Sequence, residues 1–278
     1  VGVFGRGKLI VIGGRPSMGK SAVGLSLALG LARQGGGVGF LSMDMDVSQI
    51  QSRIVSMACE ANIPYEDIEQ RRVPIDKIRA LKATIEKKDL FSGIIFNGER
   101  GKTIDEVYIT GKRIKAEIEA QGMHMDALFI DHLGCIEAIK SSSIYDETTR
   151  NVKRLKAMAQ KLDTCIVLFS QLNRKLEERT DKTPMLSDFR DSGAVEQEAD
   201  VVIGINRPAY WHMKEEPEDK DSSHHAIWED DYKKIKNQLF LTISKNRQGR
   251  CGKIELGCEI EFNRIYEPNP RDNVVRFA

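Results

Sequence analysis

An α/β fold is predicted, with a mostly parallel central sheet flanked by helices and antiparallel strands at the C-terminal end. Three observations point there. Short, continuous apolar runs alternate with stretches of helical periodicity from Lys8 to Asn206, the pattern of strands buried on both faces and linked by crossover helices. The first run passes through a glycine-rich loop straight into a helix. After Asn206 the pattern changes, and two runs with strand character close the chain.

Taken in order, Lys8–Gly13 reads as the first strand and Ser21–Arg33 as the helix after it. Buried-strand runs follow at Val38–Met43, Gly93–Asn97, Asp126–Asp131, Thr164–Ser170 and Ala199–Asn206. Thr103 followed by Glu106 is a capping-box signature, opening a charged amphipathic helix that extends to Gln121. Residues about 208–236 read as a surface insertion, dense in acidic, lysine and histidine residues from 214 onward. Leu239–Ser244 and Lys253–Leu256 then read as the antiparallel finish. No repeat period and no glycine-serine linker interrupts the chain, so 1–278 is expected to be a single domain.

The totals narrow the function classes. With 278 residues, 41% apolar and 30% charged, the chain is long enough to bury a full core. Lysine plus arginine (42) nearly cancel aspartate plus glutamate (41), so no broad basic face is expected and any nucleic-acid contact must be local. Five cysteines without paired metal spacing point to reduced thiols in a cytosol-like compartment. No apolar run approaches the roughly 18 residues that span a bilayer. The chain starts at Val1 rather than methionine, as a fragment would.

Gly14-Arg15-Pro16-Ser17-Met18-Gly19-Lys20-Ser21 fits G-x-x-x-x-G-K-[ST] between a predicted strand and a predicted helix, the context that separates true P-loops from chance matches. Backbone N–H groups of such a loop face phosphates, Lys20 reaches the β- and γ-phosphates of ATP, and the Ser21 hydroxyl holds Mg2+. Leu128-Phe129-Ile130-Asp131 places a carboxylate at the end of a buried strand, making Asp131 the second magnesium ligand. Asp44, at the carboxyl end of a strand expected to neighbour the P-loop strand, is the candidate base for the attacking water, a solvated loop acid being the alternative. Asp46 lies two residues further into the loop and is the weaker choice. Gln171, after the run Ile166–Phe169, is either a γ-phosphate sensor or an ordinary polar strand end.

Together, RPSMGKS, FLSMDM, FIDHL, SQLNR, PMLSDFRDSGAVEQEAD and SKNRQG, in that order, resemble the RecA-like motor domain of replicative hexameric DNA helicases of the DnaB type, over roughly Lys8 to Tyr266. The resemblance implies that Arg190, Asp191 and Gly193 lie on a loop facing a central channel and meet successive phosphates of single-stranded DNA. A guanidinium fork and a close backbone N–H suit that task without reading bases. Glu196, Gln197 and Asp200 are expected to fix the base of the loop. The resemblance further assigns Lys245 and Arg247 to a neighbouring subunit's γ-phosphate, Arg247 as arginine finger; from the residues alone this segment is a basic hairpin tip. A homo-oligomer, in that family a hexameric ring, follows, with primase and a helicase loader as further partners, no membrane, and the cytoplasm of a bacterial or phage-infected cell as its place. The family's N-terminal domain and linker helix are expected to be absent.

Three departures stand out. Asp44 replaces the family's usual glutamate, and His132 and Gly134 follow Asp131 where tyrosine and glutamine are usual, His132 reading as structural. His212, His224 and His225 lack the carboxylate or cysteine spacing of a metal site and read as part of a solvated loop. Two other functions fit part of the pattern: a RecA-like recombinase or regulatory ATPase, and a nucleotide-switched DNA-binding or loader module with little hydrolysis.

Overall fold

Each predicted strand run lies in one nine-stranded sheet of the computed structural model, which describes residues 4–87, 89–136, 144–189 and 192–268. The strands are β1 (Leu9–Gly14), β2 (Gly37–Ser42), β3 (Ile94–Asn97), β4 (Met125–Asp131), β5 (Cys165–Gln171), β6 (Val201–Asn206), β7 (Gln238–Asn246), β8 (Gly252–Glu259) and β9 (Arg264–Tyr266). The α-helices are α1 (Lys20–Arg33), α2 (Val47–Ala58), α3 (Tyr65–Glu69), α4 (Ile78–Ile85), α5 (Ile104–Glu119), α6 (Ile144–Leu162), α7 (Ser192–Glu198), α8 (Pro208–Met213) and α9 (Ser223–Ile235). Strand order is β3-β2-β4-β5-β1-β6-β7-β8-β9. Pairing is parallel from β3 to β6 and antiparallel from β6 to β9.

This order corrects one expectation. The strand leading to Asp44 does not neighbour the P-loop strand: β5 and β6 flank β1, and β2 lies beyond β5 and β4. Helix α1 carries the chain across those two positions, which the strongly apolar strands β4 and β5 fill later in sequence. Because all these strands are parallel, their carboxyl ends still share one edge of the sheet.

A row of aromatic rings marks the centre. Phe129 on β4 stacks on Phe40 of β2 at 5.7 Å and on Phe169 of β5 at 6.4 Å, all three fully buried. Helix α1 lies close over this row because Gly24 faces Phe169; a Cβ there would stand 2.4 Å from the ring. At α5 the capping box forms as read: the Glu106 carboxylate accepts from the Thr103 N–H at 2.8 Å, and the Thr103 hydroxyl accepts from the Glu106 N–H.

Two local readings differ from the structure. The insertion is helical rather than a solvated loop around its histidines. His212 on α8 stacks on Trp228 of α9 at 5.1 Å, and Trp228 on Tyr232 at 5.6 Å, while Ser222 caps α9 by accepting from the His225 N–H. Stacked rings remove apolar area from water that a loop would leave exposed. Among the described residues no histidine, cysteine or acidic cluster suited to a metal forms. The three-residue strand β9 has no counterpart among the apolar runs, being too short for any periodicity; it follows Asn263, which turns the chain in a left-handed conformation.

Candidate functional site

Between β1 and α1 the chain turns through Ser17 (φ 63°) and Gly19 (φ 87°), curling the backbone around the start of the helix. Gly19 occupies the N-cap position and offers no side chain to cap it, so the first N–H groups of α1 stay open to an anion. Met18, 1% exposed, anchors the loop in the core. Lys20 reaches back over the loop, its Nζ donating to the Gly14 carbonyl at 3.2 Å. Burial pulls the Lys20 ammonium below the ordinary lysine range, and the neighbouring Arg15 charge adds to this while Asp131 and Asp44 oppose it. A cation in such a place gains most from an anion that enters the loop.

Asp131, at the end of β4, comes to the same point: the Ser21 hydroxyl donates to its Oδ2 at 3.4 Å. Asp131 is 4% exposed. A buried carboxylate beside a hydroxyl at the mouth of a phosphate-shaped loop is a donor pair that fits a hard divalent cation whose other ligands are phosphate oxygens and water. Asp44 follows β2, which pairs with β4, and just before it the Met43 N–H donates to Asp131 O at 2.7 Å. Asp44 is exposed, and its charge is felt at both Lys20 and Asp131; its backbone carbonyl accepts from Arg100 at 2.9 Å. Asp46 instead caps α2, in a capping box with Gln49. The His132 Nδ1 accepts from the Gly134 N–H at 3.0 Å.

Burial pushes the Asp131 carboxyl above the ordinary carboxylate range; His132, Lys20 and the Ser21 hydroxyl offset part of this, and Asp44 adds to it. The folded chain therefore keeps a proton on Asp131 at pH values where the unfolded chain has lost it. Stability from this group is present below the ordinary carboxylate value and is lost as pH rises through the raised one. Asp131→Asn is expected to melt higher than the parent at neutral pH without divalent cations, by about 2–4 °C for each kcal/mol relieved. The two should converge in acid. A variant that melts lower at neutral pH would mean that ionised Asp131 is net stabilising.

Gln171 ends β5 directly opposite Gly14 in the register, exposed at the same edge. Leu172 N donates to Gly14 O at 3.4 Å, and Arg15 Nη1 donates to Leu172 O at 2.8 Å, tying the P-loop to the chain leaving β5. Arg15 is buried, and its side chain also meets Glu177 at 2.7 Å, a partner that sequence reasoning did not single out. No motif marks Glu177; only the chain's path brings it there.

Lys245 and Arg247 lie elsewhere. Asn246 pairs with Val201, at the amino end of β6, and the Arg247 N–H donates to Asp200 O at 2.9 Å. Asp200 in turn accepts from the Leu9 N–H at 2.8 Å, at the start of β1. From Leu9 to Gly14 is about five strand steps, roughly 17 Å at the usual rise, so these two cations stand across the sheet from their own P-loop. The Lys245 ammonium donates to Glu196 O and to Ala199 O, and the Arg247 guanidinium to Gln197 O, capping carbonyls that α7 leaves open at its C-terminal end. Lys156 completes the junction, donating to Asp200 at 2.7 Å. Glu196 and Gln197 enter this junction through their backbone carbonyls, and Asp200 through its carboxylate. Gly193 is exposed in the first turn of α7 rather than on a loop, and Arg190 and Asp191 lie outside the described residues.

The family model for the DnaB-like helicase C terminal domain matches residues 1–267. A replicative DNA helicase DnaB of Rickettsia bellii (strain RML369-C) is 30% identical over 278 residues, covering 94% of this chain and 54% of that protein. The replicative DNA helicase DnaB of Helicobacter pylori (strain ATCC 700392 / 26695) is 29% identical, covering 97% and 57%. The chain spans about half the length of the curated relatives it matches. Among solved structures, an ATPase domain superposes with a TM-score of 0.76 at 27% identity, over 94% of this chain and 84% of that one. A DnaB-like replicative helicase, described with its interactions with primase, gives 0.78 at 27% identity, over 94% and 57%.

Proposed function

The chain belongs to the DnaB-like helicase C-terminal domain family, and from that premise we propose that it is an ATP-driven motor that translocates on single-stranded DNA and unwinds duplex DNA. The observation that carries this reading is the division of the site: Lys20, Ser21 and Asp131 meet at one edge of the sheet, while Lys245 and Arg247 stand at the opposite edge of the same chain. Such a site is completed by a second copy, and a closed ring satisfies every copy at once. A homo-hexamer is the family's form of that ring.

In this reading the loop Gly14–Ser21 takes ATP, with Lys20 on the β- and γ-phosphates and backbone N–H groups around them. Ser21 and Asp131 hold Mg2+, which supplies charge neutralisation at the phosphates when bound. Asp44 orients and deprotonates the attacking water, and Gln171 senses the γ-phosphate. Lys245 and Arg247 leave the α7 carbonyls and reach the neighbour's phosphate as transition-state charge develops. Arg190, Asp191 and Gly193 meet the DNA backbone. Primase is a proposed partner because one structural neighbour is described with it, and a helicase loader is a second. Among the described residues no helix is long and apolar enough to cross a membrane, and we place the motor in the cytoplasm.

The direct test is steady-state ATP hydrolysis across a protein concentration series, with and without single-stranded DNA. Cooperative, DNA-stimulated turnover is expected. Turnover strictly proportional to protein and indifferent to DNA would remove both the shared site and the DNA role. For the DNA loop, Arg190→Ala is expected to weaken single-strand binding equally across sequences and to reduce the slope of log affinity against log salt by about 0.7, one phosphate contact's share. A loss confined to particular sequences would show that Arg190 reads bases.

A further inference from the structure

Arg15 stands inside the P-loop, yet its guanidinium is bound to acceptors of the protein itself. It is 6% exposed and held by two acceptors: the Glu177 carboxylate at 2.7 Å and Leu172 O at 2.8 Å. The other oxygen of Glu177 accepts from Lys214 at 3.1 Å. Lys214 follows α8 and lies over the rings of Tyr210 and Trp211, at 4.6 and 5.1 Å from their centroids. Lys182 donates to the Glu177 carbonyl at 2.6 Å while itself lying 5.5 Å from the Trp211 ring. A continuous set of contacts thus runs from the P-loop through Glu177 to the helical insertion.

A guanidinium is always charged and prefers planar, bidentate anions. Deprived of Glu177, Arg15 would seek the strongest anion within reach, and its charge already acts on Lys20. On the reading of this loop as the ATP site, we propose that Glu177 is a positioning residue for hydrolysis: it holds Arg15 against the chain leaving β5. Lys20 is then the only loop cation to meet the phosphates, and Gln171 keeps a set distance from the loop. Lys214 reinforces the clamp from the insertion, which makes α8 and α9 a handle on the nucleotide site.

The test is a double-mutant cycle on Arg15 and Glu177, read in ADP affinity and in turnover under saturating ATP. Glu177→Ala is expected to tighten ADP binding by about threefold or more and to lower kcat by about tenfold, since a ground-state contact is gained while geometry is lost. In the background of Arg15→Ala, the same change should no longer tighten ADP. Glu177→Gln should fall between. Lys214→Glu, a half-exposed surface change that repels Glu177, should move both readouts the same way by less, and it decides the matter if Glu177→Ala does not fold. Weaker ADP binding, unchanged kcat, or effects that simply add in the double variant would each overturn the inference. Lys20→Ala run in parallel separates the two levels: turnover surviving there removes the ATP-site reading itself, whereas a dead Lys20→Ala beside a normal Glu177→Ala removes only the clamp.

Discussion

Arg247→Ala is expected to bind ATP as the parent does and to lose turnover by about 10³ to 10⁵, the range for an arginine finger. The position of Arg247, roughly 17 Å of strand away from its own P-loop, requires that the loss act on a neighbouring chain. Mixing offers the decisive form of the experiment. Arg247→Ala chains keep a complete P-loop, and Lys20→Ala chains keep a complete finger, so mixed rings contain some whole interfaces and should recover a fraction of activity. Two inactive proteins that exchange subunits and recover nothing would sink the shared-site reading. Arg247 also caps Gln197 O and pairs with Asp200 at 3.5 Å, so Arg247→Lys serves as control. It keeps a cation for those contacts but lacks the guanidinium fork, and turnover should remain low.

Lys20→Ala is expected to weaken ATP binding by about 100-fold or more, because the charge-assisted bonds to two phosphates are worth several kcal/mol together. The folded chain should not suffer. Lys20 is mostly buried and its ammonium hydrogen-bonds the Gly14 carbonyl of its own loop, while burial already pulls that ammonium toward the neutral form. Removing it relieves a desolvated cation, so the melting temperature without nucleotide should hold or rise. Titration with a fluorescent ATP analogue beside a thermal melt distinguishes a lost ligand from a lost fold; unchanged affinity would end the assignment of Lys20.

Much of this molecule is open to reading in one dimension because its signals are local. The P-loop is a run of consecutive residues, Gly14 to Ser21, whose glycines set the turn and whose lysine and serine set the chemistry. The capping box of α5 needs only Thr103 and Glu106, one helical turn apart. Buried strands announce themselves as apolar runs, and every strand but β9 is legible in that way, with ends off by a few residues. Resemblance alone singles out the remaining candidate residues, including Lys245 and Arg247.

What needs the tertiary structure is everything that depends on which distant segments pack together. Periodicity reports the face of an element, not its neighbour, so the expectation for Asp44 puts its strand beside β1 when that strand lies beside β4. The Arg15–Glu177 pair joins residues 162 apart, and no spacing rule reaches that far. Stacking of His212, Trp228 and Tyr232 turns an acidic, lysine-rich segment into a helical pair. The glycine-rich loop between β1 and α1, the carboxylate of Asp131 at the end of a buried strand and the α/β class were all legible along the chain, because a motif of consecutive residues and the alternation of apolar runs with helical periodicity need no knowledge of packing. The order of the strands, the separation of Lys245 and Arg247 from the loop Gly14–Ser21 and the pairing of Arg15 with Glu177 arise from the packing of the apolar runs into one core, since burial of distant surfaces has no local signature.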